Sequence, residues 1–158
     1  MSKNNSLGIN LGINHWSEKK FNFYVSFDAR YNNSSSSIRP NASTKYWSYS
    51  SWADLTLKLP AKFVFNTSAQ LTMYQKTTVF AGNSNVYLVN SSLTKTLGKS
   101  DQFEIKLAIN DIFNQNQNIQ RNISTNFITE TVRQNIQRFW MFTLAYNFSK
   151  NGKPNNGF

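Results

Sequence analysis

Carboxylate and imidazole side chains are the groups from which acid–base pairs and metal sites are most often built. The chain has only seven acidic residues among its 158. None of them is spaced from another in the way that paired acid–base catalysis needs, so the sequence predicts no catalytic carboxylate pair. The seven are Glu18, Asp28, Asp54, Asp101, Glu104, Asp111 and Glu130.

His15 is the single histidine, and it lies beside Trp16 in a predicted turn. A lone imidazole in such a turn is far more often a surface residue than a base or a ligand. The chain has no cysteine, which excludes a disulfide framework and a thiolate metal site. It also contains no phosphate-binding loop and no nucleophile motif. We therefore expect a protein that is not an enzyme, with no catalytic residue, no cofactor and no metal.

The net charge of +10 has two interpretations. A basic chain is typical of proteins that bind nucleic acid or anionic lipid. Alternatively, the Lys and Arg side chains lie at strand ends and on a wet face. The second interpretation is favoured because the basic residues are scattered, with no cluster beyond Lys19-Lys20. The aromatic residues also alternate with the charged ones, so stacking on bases is not expected and we predict no nucleic-acid partner.

The stretch from Gln137 to Phe148 shows the sequence pattern that determines on which side of a strand each side chain lies. Its even positions are large and apolar, whereas its odd positions from Thr143 onward are small or polar. A period of two predicts a strand with one apolar and one mixed face. The apolar positions are Trp140, Phe142, Leu144, Tyr146 and Phe148.

The same alternation recurs along the chain and predicts an all-β fold of about eight long antiparallel strands joined as a meander. A polar, serine-rich segment from Asn32 to Ser43 is predicted to be a loop. The strands are expected near Leu7 to Ile13, Phe21 to Tyr31, Lys45 to Leu59, Phe63 to Met73, Val86 to Leu97, Phe103 to Ile109, Ile119 to Thr131 and Gln137 to Phe148.

Strand length favours a membrane barrel over a soluble sandwich, because soluble strands average only about five to six residues. Tilted strands that cross hydrocarbon need about nine to eleven. We expect an inward set of Asp28, Arg30, Lys58, Glu104, Lys106 and Asn110. We expect a lipid-facing set of Phe23, Val25, Phe27, Leu55, Leu57, Phe63, Phe65, Ile105, Leu107, Trp140, Phe142, Leu144 and Tyr146.

Five segments carry a resemblance to a known family. They are Leu59 to Phe63, Val86 to Lys95, Leu107 to Gln117 with its Asn-Asp-Ile-Phe-Asn core, Asn118 to Arg121, and Arg138 to Phe148. In order and spacing they resemble the C-terminal region of Bacteroidetes outer-membrane β-barrels of the TonB-dependent-receptor type. The resemblance implies a portion of a larger barrel of about twenty-two strands with a plug. That barrel would form the wall for uptake of a substrate across the cell outer membrane.

The resemblance also implies partners. These are outer-membrane lipid and lipopolysaccharide, the barrel-assembly machinery, and the remaining barrel strands and plug of a longer chain. Tyr146 and Phe148 in the last strand resemble the signal that the assembly machinery reads. We expect residues 1–149 to form the barrel segment and residues 150–158 a flexible tail. The first residues lack the apolar core of a signal peptide, which predicts either a cytosolic protein or a piece of a longer precursor.

Two other interpretations remain open from the sequence. A self-contained eight-stranded membrane barrel would act as an anchor or adhesin, with the first strand paired to the last. It would place Asn10 and Asn14 against Ala145 and Asn147. A soluble β-barrel binding module is the other. A count of eight strands also predicts that the Asn32 to Ser43 loop lies at the same end of the sheet as the end of the last strand.

Overall fold

The computed structural model describes residues 2–17, 20–36, 44–77, 80, 82, 85–98, 101–123 and 128–148. These residues form an all-β fold, which confirms the predicted fold class. The one short helix within these ranges is a 3-10 turn, Pro60–Lys62. The strands are β1 Ser2–His15, β2 Phe21–Ser36, β3 Thr44–Leu59, β4 Phe63–Tyr74, β5 Val86–Leu97, β6 Phe103–Asn110, β7 Gln117–Ile123, β8 Ile128–Gln134 and β9 Phe139–Tyr146.

The described residues thus form nine strands, one more than the predicted count of about eight. The segment from Ile119 to Thr131, predicted as one irregular strand, contains most of a hairpin made of β7 and β8. Its period of two is broken where the chain turns, and this is why it looked irregular. The strand predicted from Gln137 begins at Phe139. β2 continues to Ser36, so the predicted loop starts later than Asn32.

Seven strands make one sheet in the order β1-β2-β3-β4-β5-β6-β9, and the β7–β8 hairpin forms a separate two-stranded sheet. Every neighbouring pair is antiparallel. β9 therefore pairs directly with β6, and the hairpin is an excursion between two adjacent strands. Among the described residues β1 pairs only with β2 and β9 only with β6, so the ladder between the first and last strands that the self-contained eight-stranded barrel requires is not formed.

The register gives the sheet two contrasting faces. Odd-numbered residues of β1 to β6 line up with one another across the sheet, as in Phe23↔Leu55, Leu57↔Phe65 and Leu93↔Leu107. β9 joins this row through its even-numbered residues, because Leu107 pairs with Phe142. We call this the apolar face. The opposite side, with even-numbered residues of β1 to β6 and odd-numbered residues of β9, is the polar face.

The connections differ between the two ends of the sheet. Short connections follow His15, Leu59 and Leu97 at one end, which we call the short-turn end. The longer connections after Ser36, Tyr74 and Asn110 are at the other, the long-loop end. β9 finishes at the short-turn end. The loop after β2 is therefore at the opposite end, which corrects the prediction made from eight strands.

Few side chains are buried, since a single sheet shields little from its surroundings. The buried apolar residues among those described are Ala29, Phe80, Ala108 and Ile119. Large apolar side chains are exposed along the edge strands, as in Leu7 at 78% and Phe142 at 68%. Among the described residues, helices long and apolar enough to span a membrane are not found.

Candidate functional site

The apolar face contains all thirteen residues predicted to face lipid. Trp140, Phe142 and Leu144 on β9 are roughly two-thirds exposed, at 66%, 68% and 64%. Tyr146, also on β9, is 41% exposed, and the other nine, on β2 to β6, are partly shielded by their neighbours in the sheet. A water-soluble protein rarely exposes a contiguous apolar patch of more than a few hundred Å². A surface that runs across seven strands therefore requires an apolar environment.

Aromatic side chains form a band at each end of the apolar face. At the long-loop end the Trp47 ring lies 5.3 Å from Tyr31 and 6.1 Å from Tyr49. At the short-turn end Phe103 lies 4.6 Å from Tyr146. Bands of this kind are typical of surfaces that span a bilayer, because aromatic rings favour the headgroup regions.

Lys95 is a cation on the apolar face, next to the short turn after β3. Its Nζ lies 4.2 Å from the centre of the Phe63 ring and donates a hydrogen bond to the carbonyl of Ala61. The stem thus follows the apolar surface while the charge reaches the end of the sheet. This arrangement lets a long basic side chain remain at a membrane boundary.

The polar face is rich in hydroxyl and amide groups, which hydrogen-bond to one another across strands. Thr56 donates to Asn66 at 2.8 Å, and Asn90 donates to Ser68 at 3.4 Å. A cavity of about 300 Å³ opens over this part of the face, with Asp54 and Lys106 on its wall. The predicted inward set lies entirely on this face. The surface suits contact with water rather than with lipid.

The β7–β8 hairpin lies over the polar face at the long-loop end. One cavity of about 360 Å³ separates Asn118 and Ile119 of the hairpin from Thr72 and Leu88 of the sheet. A second cavity, of about 190 Å³, is lined by Asn122 and by residues of β1 and β2. Since it meets β5 on one side and β1 on the other, the hairpin crosses most of the width of the sheet.

Arg121 fastens the hairpin to the sheet. Its guanidinium lies 4.9 Å from the Tyr74 ring and 4.6 Å from the Phe80 ring, and 5.7 Å from that of Tyr46. Nη1 also donates to the backbone carbonyl of Gln75 at 3.0 Å. Its side chain is only 1% exposed. Arg is the residue best suited to combine stacking with several directed hydrogen bonds, so we call these contacts the Arg121 clasp.

Asp111 shapes the exit from β6 toward the hairpin. It adopts a left-handed φ of 53° and is 1% exposed. Its carboxylate accepts hydrogen bonds from the backbone amides of Gln115 and Asn116, at 2.8 and 2.9 Å. Its own amide donates to Asn90 at 2.9 Å. The buried Asp111 side chain therefore satisfies backbone groups of the turn, which is a structural role rather than a catalytic one.

The structural role of Arg121 was also not predicted. Its partners Tyr74, Gln75 and Phe80 belong to other parts of the chain, and the segment around it shows no regular period. A signal was present in the pairing of Arg121 with Glu130, nine residues apart on two strands of one hairpin. This pairing can be recognised in the sequence only when β7 and β8 are known to form a hairpin.

A model of the outer membrane protein β-barrel family matches residues 1–146. The chain belongs to this family. It is an outer-membrane β-barrel protein, and the predicted location in the outer membrane is confirmed. The soluble binding module is thereby left without support. No curated protein and no solved structure matches the chain at a significant level.

Two other sets of predictions stay predictions for this outer-membrane barrel protein. Tyr146 ends β9 and stacks edge-on with Phe148 at 4.5 Å, and Phe148 is 89% exposed, but their recognition by the assembly machinery is untested. The described residues contain no group of three His, Cys, Asp or Glu side chains that could hold a metal. The 150–158 tail lies outside the described residues.

Proposed function

We propose that this chain forms part of the wall of an outer-membrane uptake receptor of the TonB-dependent type. The apolar face contacts outer-membrane lipid and lipopolysaccharide. The polar face lines the passage through which a substrate crosses. Further strands and a plug complete the receptor, and the barrel-assembly machinery inserts it through the last strand, with Tyr146 and Phe148 as the signal.

The observation that carries this proposal is the hairpin over the polar face. A barrel of eight strands fills its interior with its own side chains. Here the polar side holds two additional strands, and cavities of about 300 and 360 Å³ lie beside and beneath them. Such contents need the wide lumen of a large barrel. Wide barrels with occupied lumens are typical of outer-membrane transporters.

The self-contained eight-stranded anchor or adhesin is the second candidate. It is favoured by the length of the strands alone, since an anchor also spans the membrane. It requires β1 to pair with β9, and it leaves the hairpin without a place inside. The position of the hairpin therefore favours the receptor over the anchor.

Binding to TonB tests the proposal. The full-length protein would be extracted from its outer membrane in detergent and mixed with the purified periplasmic domain of TonB. We expect a stable complex on size-exclusion chromatography with light scattering. A second sample, in which the barrel is unfolded by heat, serves as the control and should not bind. A folded, heat-modifiable barrel that does not bind TonB would refute the receptor and favour the anchor.

A further inference from the structure

The polar face carries two large, exposed aromatic side chains. Trp52 on β3 is 40% exposed, and Tyr24 on β2 is 42% exposed. Both lie on the side of the sheet opposite to the aromatic bands, so anchoring in the headgroup regions of a bilayer does not account for them. Exposed aromatic rings on a surface that meets water favour a ligand that stacks on them.

Neighbouring residues hold both rings in position. The Trp52 indole Nε1 donates a hydrogen bond to the carboxylate of Asp54 on the same strand. Tyr24 pairs directly with Asp54 in the β2–β3 ladder, and its hydroxyl lies 4.0 Å from the position that a Cβ atom would take at Gly12 of β1. The Tyr24 side chain therefore extends along the sheet toward β1, where a residue without a side chain leaves room for it. Rings that are positioned in advance lose little entropy when a ligand binds.

The cavity of about 300 Å³ begins at Asp54 and continues across β4, β5 and β6. Its wall offers mainly neutral hydroxyl and amide groups, among them those of Asn66, Ser68 and Asn90. Such groups both donate and accept hydrogen bonds. Ser68 accepts from Asn90 at 3.4 Å, for example, and its own hydroxyl proton remains available for donation. The volume is at the lower end of the range for ligand pockets, about 300–1,000 Å³.

The charges on the wall of this cavity balance. Among the described residues of the wall only Asp54 and Lys106 are charged, and their signs are opposite. The net charge of +10 of the chain is therefore not concentrated here. An anionic ligand would gain one attractive contact and one repulsive contact, so the wall favours a neutral ligand with many hydrogen-bonding groups.

We propose that the polar face binds a neutral oligosaccharide. A sugar ring has hydroxyl groups around its rim and C–H groups on its faces, so it can hydrogen-bond to hydroxyl and amide groups while it stacks on an aromatic ring. Tyr24 and Trp52 stack on successive sugar rings, and the hydroxyl and amide groups of the cavity bind the rim of the next.

The placement of these groups suits a chain of sugars better than a single one. The Tyr24 side chain reaches β1, Trp52 lies on β3, and the cavity extends to β6, so the three parts form a row across the sheet. The inference rests on the proposed function in one respect, which is that the bound oligosaccharide is the substrate of the passage.

Glycan binding by the full-length protein tests the inference. The protein is extracted from its outer membrane in an amine-oxide detergent, because alkyl-glycoside detergents carry a sugar themselves. It is applied to an array of neutral and acidic oligosaccharides, and the dissociation constants of the glycans that bind, and of a ferric hydroxamate complex, are measured by calorimetry. We expect a neutral oligosaccharide to bind most tightly. A folded barrel that binds no neutral glycan, or that prefers the acidic glycans or the ferric complex, would overturn the inference.

Variants of the two rings locate the site. Trp52→Ala and Tyr24→Ala should each weaken binding by roughly tenfold, whereas Trp52→Phe and Tyr24→Phe keep a ring and should retain most of the affinity. Trp16→Ala is the matched control, since Trp16 is 83% exposed, follows β1 and lies outside the cavity wall. The midpoint of heat-induced loss of the folded band is measured for every variant, so that loss of binding is separated from loss of folding. Unchanged affinity in both folded alanine variants would contradict the proposed site.

TonB binding by the same preparation separates this inference from the proposed function. Glycan binding without a TonB complex would support the oligosaccharide site and refute the receptor. A TonB complex without glycan binding would support the receptor and refute the oligosaccharide site.

Discussion

Arg121 and Glu130 are direct partners in the β7–β8 ladder, with Arg121 Nε 2.7 Å from Glu130 Oε2. The guanidinium is 1% exposed, whereas the Glu130 side chain is 24% exposed. Arg121 therefore makes two kinds of contact. Its charge is neutralised by the Glu130 carboxylate within the hairpin, and its guanidinium stacks on aromatic rings of the sheet. Losing Arg121 removes both the cross-strand bond and the attachment of the hairpin.

The variant Arg121→Ala should release the hairpin from the polar face. The change removes the ring stacking and the charged hydrogen bonds of a buried guanidinium, at a cost of about 1.5–3 kcal/mol, and this cost falls on docking of the hairpin rather than on the seven-stranded sheet. Hydrogen exchange followed by mass spectrometry should show loss of amide protection in β7 and β8 with little change in β3 and β4. Arg133→Ala is the control, since Arg133 lies on the same hairpin and is exposed. Equal effects of the two variants would contradict the Arg121 clasp.

The variant Asp111→Ala should destabilise the exit from β6. It leaves the backbone amides of Gln115 and Asn116 without their acceptor inside a partly buried turn, at a cost of about 1–3 kcal/mol. Asp111→Asn should cost less, because Asn retains an acceptor and tolerates a left-handed φ. The midpoint of heat-induced loss of the folded band on gels measures the effect. Asp101→Ala is the matched control, an aspartate with a φ of 54° whose side chain is 48% exposed.

A lysine scan of two adjacent β9 residues should separate the two faces. Leu144→Lys places a charge on the apolar face, where a lysine costs about 2–4 kcal/mol at the bilayer midplane and less toward the interfaces. Ala145→Lys places the same charge on the polar face opposite Glu104, its direct partner in the ladder, and should be nearly neutral. Folding yield into liposomes decides between them. Comparable losses for both variants would show that the apolar face does not contact lipid.

Single-tryptophan variants should report which rings meet the acyl chains. The chain has four tryptophans, so each can be kept alone while the other three are changed to Phe. In liposomes of brominated lipids we expect strong quenching of Trp140 and Trp47, which lie on the apolar face. Trp52, on the polar face, where it donates to Asp54, should be protected. Quenching of Trp52 as strong as that of Trp140 would reverse the assignment of the faces.

The two faces could be predicted because alternation is a local signal. The alternation within one strand is enough to assign Phe23, Val25 and Phe27 to the same face, whichever strand pairs with it. Antiparallel pairing then carries that side from one strand to the next, because direct partners point the same way. The sharing of one face by all thirteen predicted residues follows from this single rule.

The hairpin and the sidedness of the loops could not be predicted in the same way. Both depend on whether the segment from Ile119 to Thr131 crosses the sheet or folds back. That choice is set by contacts between distant parts of the chain, such as Arg121 with Tyr74 and Phe80. A stretch of irregular period does not reveal such contacts. Counting it as one strand reversed the end assigned to the loop after β2.

The direct pairing of β6 with β9 has a consequence for how such proteins diversify. The eight pairs from Phe103↔Tyr146 to Asn110↔Phe139 close the wall whatever lies between the two strands. Residues 117–134 can therefore accumulate substitutions, insertions or deletions while the surrounding strands keep their register. Evolution can thus vary the hairpin over the polar face as an insert, whereas the seven-stranded sheet tolerates only changes that keep its alternation.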